Sequence, residues 1–118
     1  KSNTLRLKGR LYMDNEQKAF TLILHSGNAR SIGHEALDLV KKNDFDGAKA
    51  KLAEAKKELL EAQTMHAQML RDMANNKKVQ IDLLLIHAED HVCGSQSCVD
   101  MAEEVIAIYE KLYVFENK

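Results

Sequence analysis

The feature that most constrains the fold is long helical periodicity with no proline to interrupt it. None of the 118 residues is proline and only five are glycine, so little in the chain would break an α-helix. Apolar residues recur at steps of three and four, which is the spacing of one helix face. Runs of β-branched residues and Asn-Gly turns, which signal strands and hairpins, are nearly absent. The sequence therefore predicts an all-α fold.

Two polar breaks divide the chain into three predicted helices. The first covers residues 14–42 and ends at a turn of two lysines, an asparagine and an aspartate. The second starts at Asn43 or Asp44, either of which is a good N-cap, and ends at the turn 74–78. The third covers residues 79–115. Because short connections place successive helices antiparallel, the prediction is an up-down-up antiparallel three-helix bundle.

Each predicted helix has an apolar stripe that we expect to face the core. The stripe of the first helix is Phe20, Ile23, Leu24, Ile32, Ala36, Leu37 and Val40. The stripe of the second is Phe45, Ala48, Leu52, Ala55, Leu59, Ala62, Met69 and Met73. The stripe of the third is Leu85, Ala88, Val92, Ser95, Val99, Ala102, Ile106, Tyr109 and Tyr113.

The third helix has a second line of apolar or small residues, interrupted by one carboxylate. The line is Leu83, Ile86, Asp90, Cys93 and Ser97. A helix in a three-helix bundle needs only one apolar stripe, so a second stripe indicates a second burial surface. We expect self-association through this line, with Asp90 inside or beside the interface.

Composition excludes several classes of partner. With 30% charged residues and a net charge of −1, nothing indicates binding to nucleic acid or to anionic membranes. The apolar run at residues 83–86 is too short to span a bilayer, and the N-terminus lacks the apolar stretch of a secretory signal. We expect a cytoplasmic domain over residues 13–118, with residues 1–12 an expression scar or a disordered N-terminus. Cys93 and Cys98 would point about 140° apart on a helix, so we expect free thiols.

The segment LLLIHAEDHV, residues 83–92, carries the candidate chemistry. His87 and His91 lie one helical turn apart, next to Asp90. The plainest interpretation is two surface or core histidines. Histidines at this spacing can also share a zinc ion, with Asp90 and Cys98 as possible extra ligands. The HExxH pattern of zinc proteases is absent, because Glu89 is two residues after His87 and points away from the pair. The third interpretation is a phosphoryl carrier, since a neutral imidazole is a good nucleophile near pH 7. No nucleotide-binding loop is present, so the donor would be another protein.

Four blocks of sequence resemble the lactose/cellobiose-specific IIA component of the bacterial sugar phosphotransferase system. They are HSGNARSIGHEAL at residues 25–37, NDFDGAKAKLAEA at 43–55, LLLIHAEDH at 83–91 and AEEVIAIYEKL at 102–112. Their order and spacing fit the family from about Phe20 to Leu112. The chain departs from the family at Glu89 and at His66, where glutamine is usual, and at residues 92–95, where Val-Cys-Gly-Ser replaces Leu-Met-Thr-Ser.

The resemblance implies a function and a role for each site residue. His87 matches the family's phosphorylated histidine, His91 matches the second histidine of the block, and Asp90 matches an aspartate that binds a metal on the axis of a homotrimer. The implied cofactor is Mg²⁺ or a similar divalent cation. The implied partners are phospho-HPr as donor, the IIB component as acceptor through a cysteine, and further copies of this chain. We expect His91 to orient the His87 ring or to donate to the phosphoryl oxygens. A non-catalytic helical module with zinc at His87 and His91 is the alternative.

Overall fold

Three long helices form the bundle that the periodicity predicts. The computed structural model describes the backbone of residues 4–7 and 10–13 and the whole of residues 14–118. Helix α1 is Asn15–Val40, α2 is Phe45–Ala74 and α3 is Leu83–Glu116. Asp14, Asp44 and Asp82 cap their N-termini, each accepting a hydrogen bond from a backbone N–H three residues later. The predicted all-α bundle is confirmed.

The third helix begins later than predicted. Its predicted start was residue 79, but Asp82 is the N-cap and α3 starts at Leu83. The prediction was wrong because it followed the apolar run back to Val79 and passed over Asp82. Val79 packs against the core from the connecting segment and not from the helix. The capping aspartate therefore determines where the helical phase starts, and His87 lies in the second turn.

A short hairpin precedes the bundle and was not predicted. Strands β1, Thr4–Leu7, and β2, Arg10–Met13, pair antiparallel with Leu5 opposite Tyr12. Apolar residues recur at every second position, at Leu5 and Leu7 and again at Leu11 and Met13. This period of two is the sequence pattern of strands. The prediction that residues 1–12 are a scar or a disordered N-terminus lies partly outside the described residues, and it stays a prediction.

Small residues form the core face of α1, and this differs from the predicted stripe. The buried residues of α1 are Ala19, Leu22, Ser26, Ala29, Gly33, Ala36 and Val40. Phe20 and Leu24, predicted to be core, are 54% and 58% exposed. The prediction was wrong because bulky residues were taken as the core signal. A seam of alanine, serine and glycine instead lets neighbouring helices approach closely, as small residues do at other close helix contacts.

The stripes of α2 and α3 are largely confirmed. Six of the predicted α2 positions are buried, from Ala48 to Met69, and seven of the α3 positions, from Leu85 to Ile106. The core predictions for Met73 and Tyr113 were wrong, because these side chains are 45% and 41% exposed. They lie at helix ends where fewer neighbours cover them.

A layer of two serines divides the core into two apolar clusters. Ser95 Oγ donates to the Ser26 carbonyl oxygen at 2.7 Å, and Ser26 Oγ donates to the Ile23 carbonyl oxygen at 3.2 Å. Both serines are buried, so their hydroxyls need these partners. The Ser26–Ser95 contact places α1 and α3 side by side and parallel, close to the level of His91.

The seam between α1 and α3 leads to a prediction for Gly33. A Cβ added there would lie 3.9 Å from Val99 Cγ2, an ordinary contact. Gly33→Ala should therefore raise the free energy of unfolding by about 0.5–1 kcal/mol, the helix-propensity gain. Gly47→Ala is the matched control, because its Cβ would meet the Asp44 carboxylate that caps α2 and the lost cap offsets the gain. Urea unfolding measures both. Destabilisation by Gly33→Ala would contradict the packing described here.

Candidate functional site

His87 and His91 form a contacting pair on one flank of α3. Their Nε2 atoms are 3.1 Å apart, and their rings meet edge to face with centroids 4.5 Å apart. His87 is exposed and His91 half-buried. Within residues 14–118, each ring is the other's only hydrogen-bonding partner. When both rings are neutral, one Nε2 carries the shared proton and the other accepts it. The structure therefore brings the two predicted histidines together.

The other three histidines have different partners. His25 Nδ1 lies 3.2 Å from Glu58, and His66 Nδ1 lies 2.7 Å from Glu89. His34 Nε2 lies 3.9 Å from the Cys98 sulfur. A carboxylate partner occupies one ring nitrogen and holds the imidazole in one orientation. His87, His91 and His34 have no carboxylate partner among the described residues. Of these, only His87 and His91 contact each other, with His87 exposed.

Asp90 lies away from the histidine contact, on the face opposite the core. Its position is about 60° around the helix from His87. The carboxylate is exposed and makes no ion pair or hydrogen bond with any residue that the structure describes. The side chains around it on the predicted second line are also exposed: Leu83, Ile86, Cys93 and Ser97. The line continues through Met101 and Ile108, which are 63% and 56% exposed. Asp90 therefore belongs to an outward apolar face and not to the imidazole pair.

No closed metal site exists within one chain over the described residues. No group of three His, Cys, Asp or Glu side chains converges as metal ligands there. A structural zinc site has four ligands and a catalytic one at least three protein ligands. The zinc alternative at His87 and His91 therefore finds no third ligand in residues 14–118. The predicted free thiols are confirmed, with Cys93 exposed and Cys98 half-buried.

Sequence reasoning missed a groove on the other flank of α3. The groove has a volume of about 260 Å³ and lies between the end of α2 and the start of α3. Its lining is His66, Met69, Leu70, Met73, Val79, Ile81, Leu85, Ile86 and Glu89. His66 of α2 and Glu89 of α3 contact each other across this groove. A contact between two helices leaves no pattern in the spacing of either one, so the groove could not be predicted from the sequence. None of the helices described is long and apolar enough to cross a membrane.

A polar cluster joins α1 to α2 at His25, Asn28 and Glu58. Asn28 Nδ2 donates to Glu58 Oε1 at 2.6 Å. This hydrogen bond, followed by the contact with His25, holds the pKa of the Glu58 carboxyl below its ordinary value, against an opposing effect of desolvation. The cluster is on the α1–α2 side of the bundle, where its contacts join the two helices.

Fold and site together define a class: a small helical bundle with an exposed imidazole pair on one flank. A family model for the "PTS system, Lactose/Cellobiose specific IIA subunit" matches residues 17–110. The chain belongs to this family of phosphotransferase-system components.

Relatives and solved structures agree with the family model. The lichenan-specific phosphotransferase enzyme IIA component of Bacillus subtilis is 38% identical over 97 residues, covering 82% of this chain and 88% of that protein. The crystal structure of the cellobiose-specific enzyme IIA from Bacillus anthracis superposes with a TM-score of 0.81 at 36% identity, covering 87% of this chain and 95% of that one. The IIA(chitobiose)–HPr complex of Escherichia coli contains a chain that matches with a TM-score of 0.75 at 31% identity, covering 86% and 99%.

The polar cluster between α1 and α2 gives a pH-dependent prediction. The Glu58 pKa is lower in the folded chain than the ordinary value of 4.5. The carboxylate therefore contributes stability above pH 4.5, and this contribution is lost as the pH falls through the folded pKa. Glu58→Gln should cost about 1 kcal/mol at pH 7 and progressively less in acid.

Urea unfolding at fixed chain concentration, at pH 7 and below pH 4, measures the effect of Glu58→Gln. Glu54→Gln is the matched control, because Glu54 makes an exposed ion pair with Lys51 that contributes little. An equal loss for Glu58→Gln at both pH values would contradict the assignment.

Proposed function

We propose that this chain is a phosphoryl carrier that accepts a phosphoryl group from phospho-HPr on His87. It then passes the group to a cysteine of the IIB component during uptake of a lactose/cellobiose-type sugar. The observation that carries the proposal is the exposed His87 ring, whose only described partner is the His91 ring at 3.1 Å. Family membership supports it, as does the complex that a chitobiose-specific relative forms with HPr. We place the reaction in the cytoplasm.

The transfer makes modest demands on the protein. A bond forms between phosphorus and a ring nitrogen of His87, while the bond between phosphorus and the donor atom of HPr breaks and its electron pair stays on the donor. The second transfer repeats this with the IIB thiolate as nucleophile. Since little covalent chemistry falls to other side chains, positioning and electrostatics account for the catalysis.

His91 has the position to contact the transferred group. Its Nε2 now lies 3.1 Å from the His87 Nε2. A phosphoryl group beside that nitrogen would meet the His91 ring, whose N–H can then donate to a phosphoryl oxygen. We assign His91 this role, together with orienting the His87 ring before transfer.

The outward face of α3 supports a homotrimer. Large apolar side chains at Leu83, Ile86 and Met101 are more than half exposed in one chain. Burying them against copies of the same face would remove this surface from water. Asp90 then lies near its two symmetry mates. At about 5 Å and an effective dielectric of 20, each pair would repel by about 3 kcal/mol, and the three pairs by about 10 kcal/mol.

A divalent cation would offset this repulsion. Asp90 offers an exposed carboxylate with no other partner among the described residues, and hard cations such as Mg²⁺ prefer carboxylate oxygen. Three Asp90 side chains would hold the ion, which supplies charge neutralisation in the interface. The His87 chemistry does not use it.

His87→Ala tests the carrier assignment. We expect the variant to lose all labelling from phosphoenolpyruvate, enzyme I and HPr, because no other imidazole replaces the nucleophile. Helicity should be unchanged, since His87 is exposed. His34→Ala, an exposed histidine on α1, is the control and should label fully. Acid-labile, base-stable phosphate on the His87→Ala protein would refute the assignment.

His91→Ala tests the second histidine. Loss of one oriented donor should slow transfer to His87 by about 10- to 10³-fold, the range for a lost catalytic hydrogen bond. The final stoichiometry should remain one phosphoryl group per chain, because His87 is intact. Rapid-quench or stopped-flow kinetics measure the rate. A rate equal to wild type would leave His91 as a surface histidine.

Asp90→Asn tests the axial cation. The wild-type trimer should weaken with EDTA, because three carboxylates then repel at close range. The Asn variant removes the charge and should remain trimeric with or without chelator. Sedimentation at micromolar chain concentration gives the mass. A wild-type chain that is monomeric in saturating Mg²⁺, or an Asn variant as chelator-sensitive as wild type, would exclude the axial ion.

A further inference from the structure

The surface between α1 and α3 beside the histidine pair is called the α1–α3 groove. On one flank of α3, steps of four, three and four residues join His87, His91, Gly94 and Cys98. Two contacts align α1 with this flank. A terminal guanidinium nitrogen of Arg30 lies 3.7 Å from where a Cβ on Gly94 would be, and His34 Nε2 lies 3.9 Å from the Cys98 sulfur. Residues 30 and 94, like residues 34 and 98, are 64 positions apart.

The same register places two glycines beside the imidazoles. One turn towards the N-termini, the 64-residue offset sets Gly27 at the level of His91. Among the residues that the structure describes, nothing lies within 4 Å of where a Cβ on Gly27 would be, and only Arg30 lies that close to one on Gly94. Within the described part of the chain, no side chain therefore covers the groove next to His91, where both glycine positions present backbone alone. This leaves room for a small group near the histidine pair.

Arg30 is a free cation at the edge of this opening. It is exposed, and among the residues that the structure describes it makes no ion pair or hydrogen bond. Helical side chains lean towards the N-terminus of their helix. Because α1 and α3 are parallel, the Arg30 side chain can extend along the groove towards His91 and His87. Within residues 14–118, none of the five N–H donors of the guanidinium has a partner.

We propose that Arg30 is a catalytic residue whose guanidinium binds the phosphoryl oxygens during transfer to and from His87, in the opening beside Gly27 and Gly94. The inference rests on the proposed function of His87. A phosphoryl group spreads negative charge over three oxygens, and a planar guanidinium donates to two of them at once. Arg30 and His91 would then contact the group from the two helices that border the groove.

Two phosphoryl donors are compared, to distinguish a contact of Arg30 with the phosphoryl group from a contact of Arg30 with a partner protein. The first is phospho-HPr. The second is phosphoramidate, a small donor that needs no docking surface. With phosphoramidate, the phosphorus–nitrogen bond breaks as a bond from phosphorus to the His87 ring nitrogen forms. The amine leaves as ammonia, with the proton that the imidazole loses.

Rates of His87 labelling are measured for wild type, Arg30→Gln, Arg30→Lys and Arg71→Gln. Arg71 is the matched control, an exposed arginine on α2 that contacts Gln68. We expect Arg30→Gln to be slower by about 10²- to 10³-fold with both donors, the loss found when one oxyanion donor is removed. The loss should fall on kcat more than on KM. Arg30→Lys should recover part of the rate, because the charge remains and the fork is lost. Arg71→Gln should match wild type, and circular dichroism should show unchanged helicity in every variant.

Three outcomes would overturn the inference. Equal rates for Arg30→Gln and wild type with both donors would remove any role in transfer. A loss with phospho-HPr alone would assign Arg30 to donor docking and not to the phosphoryl group. Failure of wild type to label from either donor would remove the reaction itself. If wild type labels from phosphoramidate but not from phospho-HPr, the proposed partner is wrong, and the phosphoramidate rates still decide the role of Arg30.

Discussion

The close approach of α1 to α3 is the constraint on which the rest of the structure depends. Ala29, Gly33 and Ala36 keep the core face of α1 free of bulky side chains between Leu22 and Val40. The buried Ser95–Ser26 hydrogen bond at 2.7 Å fixes the register of the two helices. A hydroxyl buried without that acceptor would cost about 1–3 kcal/mol. Register shifts are therefore disfavoured, and the flank of α3 that carries His87 and His91 keeps one alignment against α1.

A core built from small residues also determines what remains on the outside. The larger apolar side chains that are buried include Leu22, Val40, Leu52, Leu59, Val99 and Ile106. Phe20 and Leu24 of α1, and Leu83 and Ile86 of α3, stay exposed in the single chain. This surface is the physical basis for the proposed self-association. Asp90 lies within the outward face of α3 and the imidazoles lie at the edge of that face. The proposed assembly surface and the proposed phosphoryl site therefore occupy different sides of one helix.

The sequence predicts the parts of this arrangement that depend on a single helix. The contact of His87 with His91 follows from a spacing of four residues, and the stripe from Leu85 to Ile106 follows from alternating steps of three and four residues. What it misses depends on two helices or on small residues. Phe20 is more hydrophobic than Ala19, so a hydrophobic pattern assigns Phe20 to the core. In the structure Ala19 is buried and Phe20 is not. Glu89 was correctly expected to point away from the histidines, but its contact with His66 at 2.7 Å joins α2 to α3 and has no signature in either segment alone.

We propose that His87 alone among the five imidazoles accepts the phosphoryl group, because its ring is exposed and contacts only the His91 ring among the described residues. The most direct test is imidazole nitrogen NMR of the wild-type chain, selectively labelled at histidine, before and after incubation with phosphoenolpyruvate, enzyme I and HPr. We expect the resonances of His87 to move to those of a phosphohistidine. His91 should shift as a neighbour without becoming phosphorylated, and the rings paired with Glu58 and Glu89 should stay unchanged. A phosphohistidine signal from His25, His34, His66 or His91, or none from any ring, would contradict it.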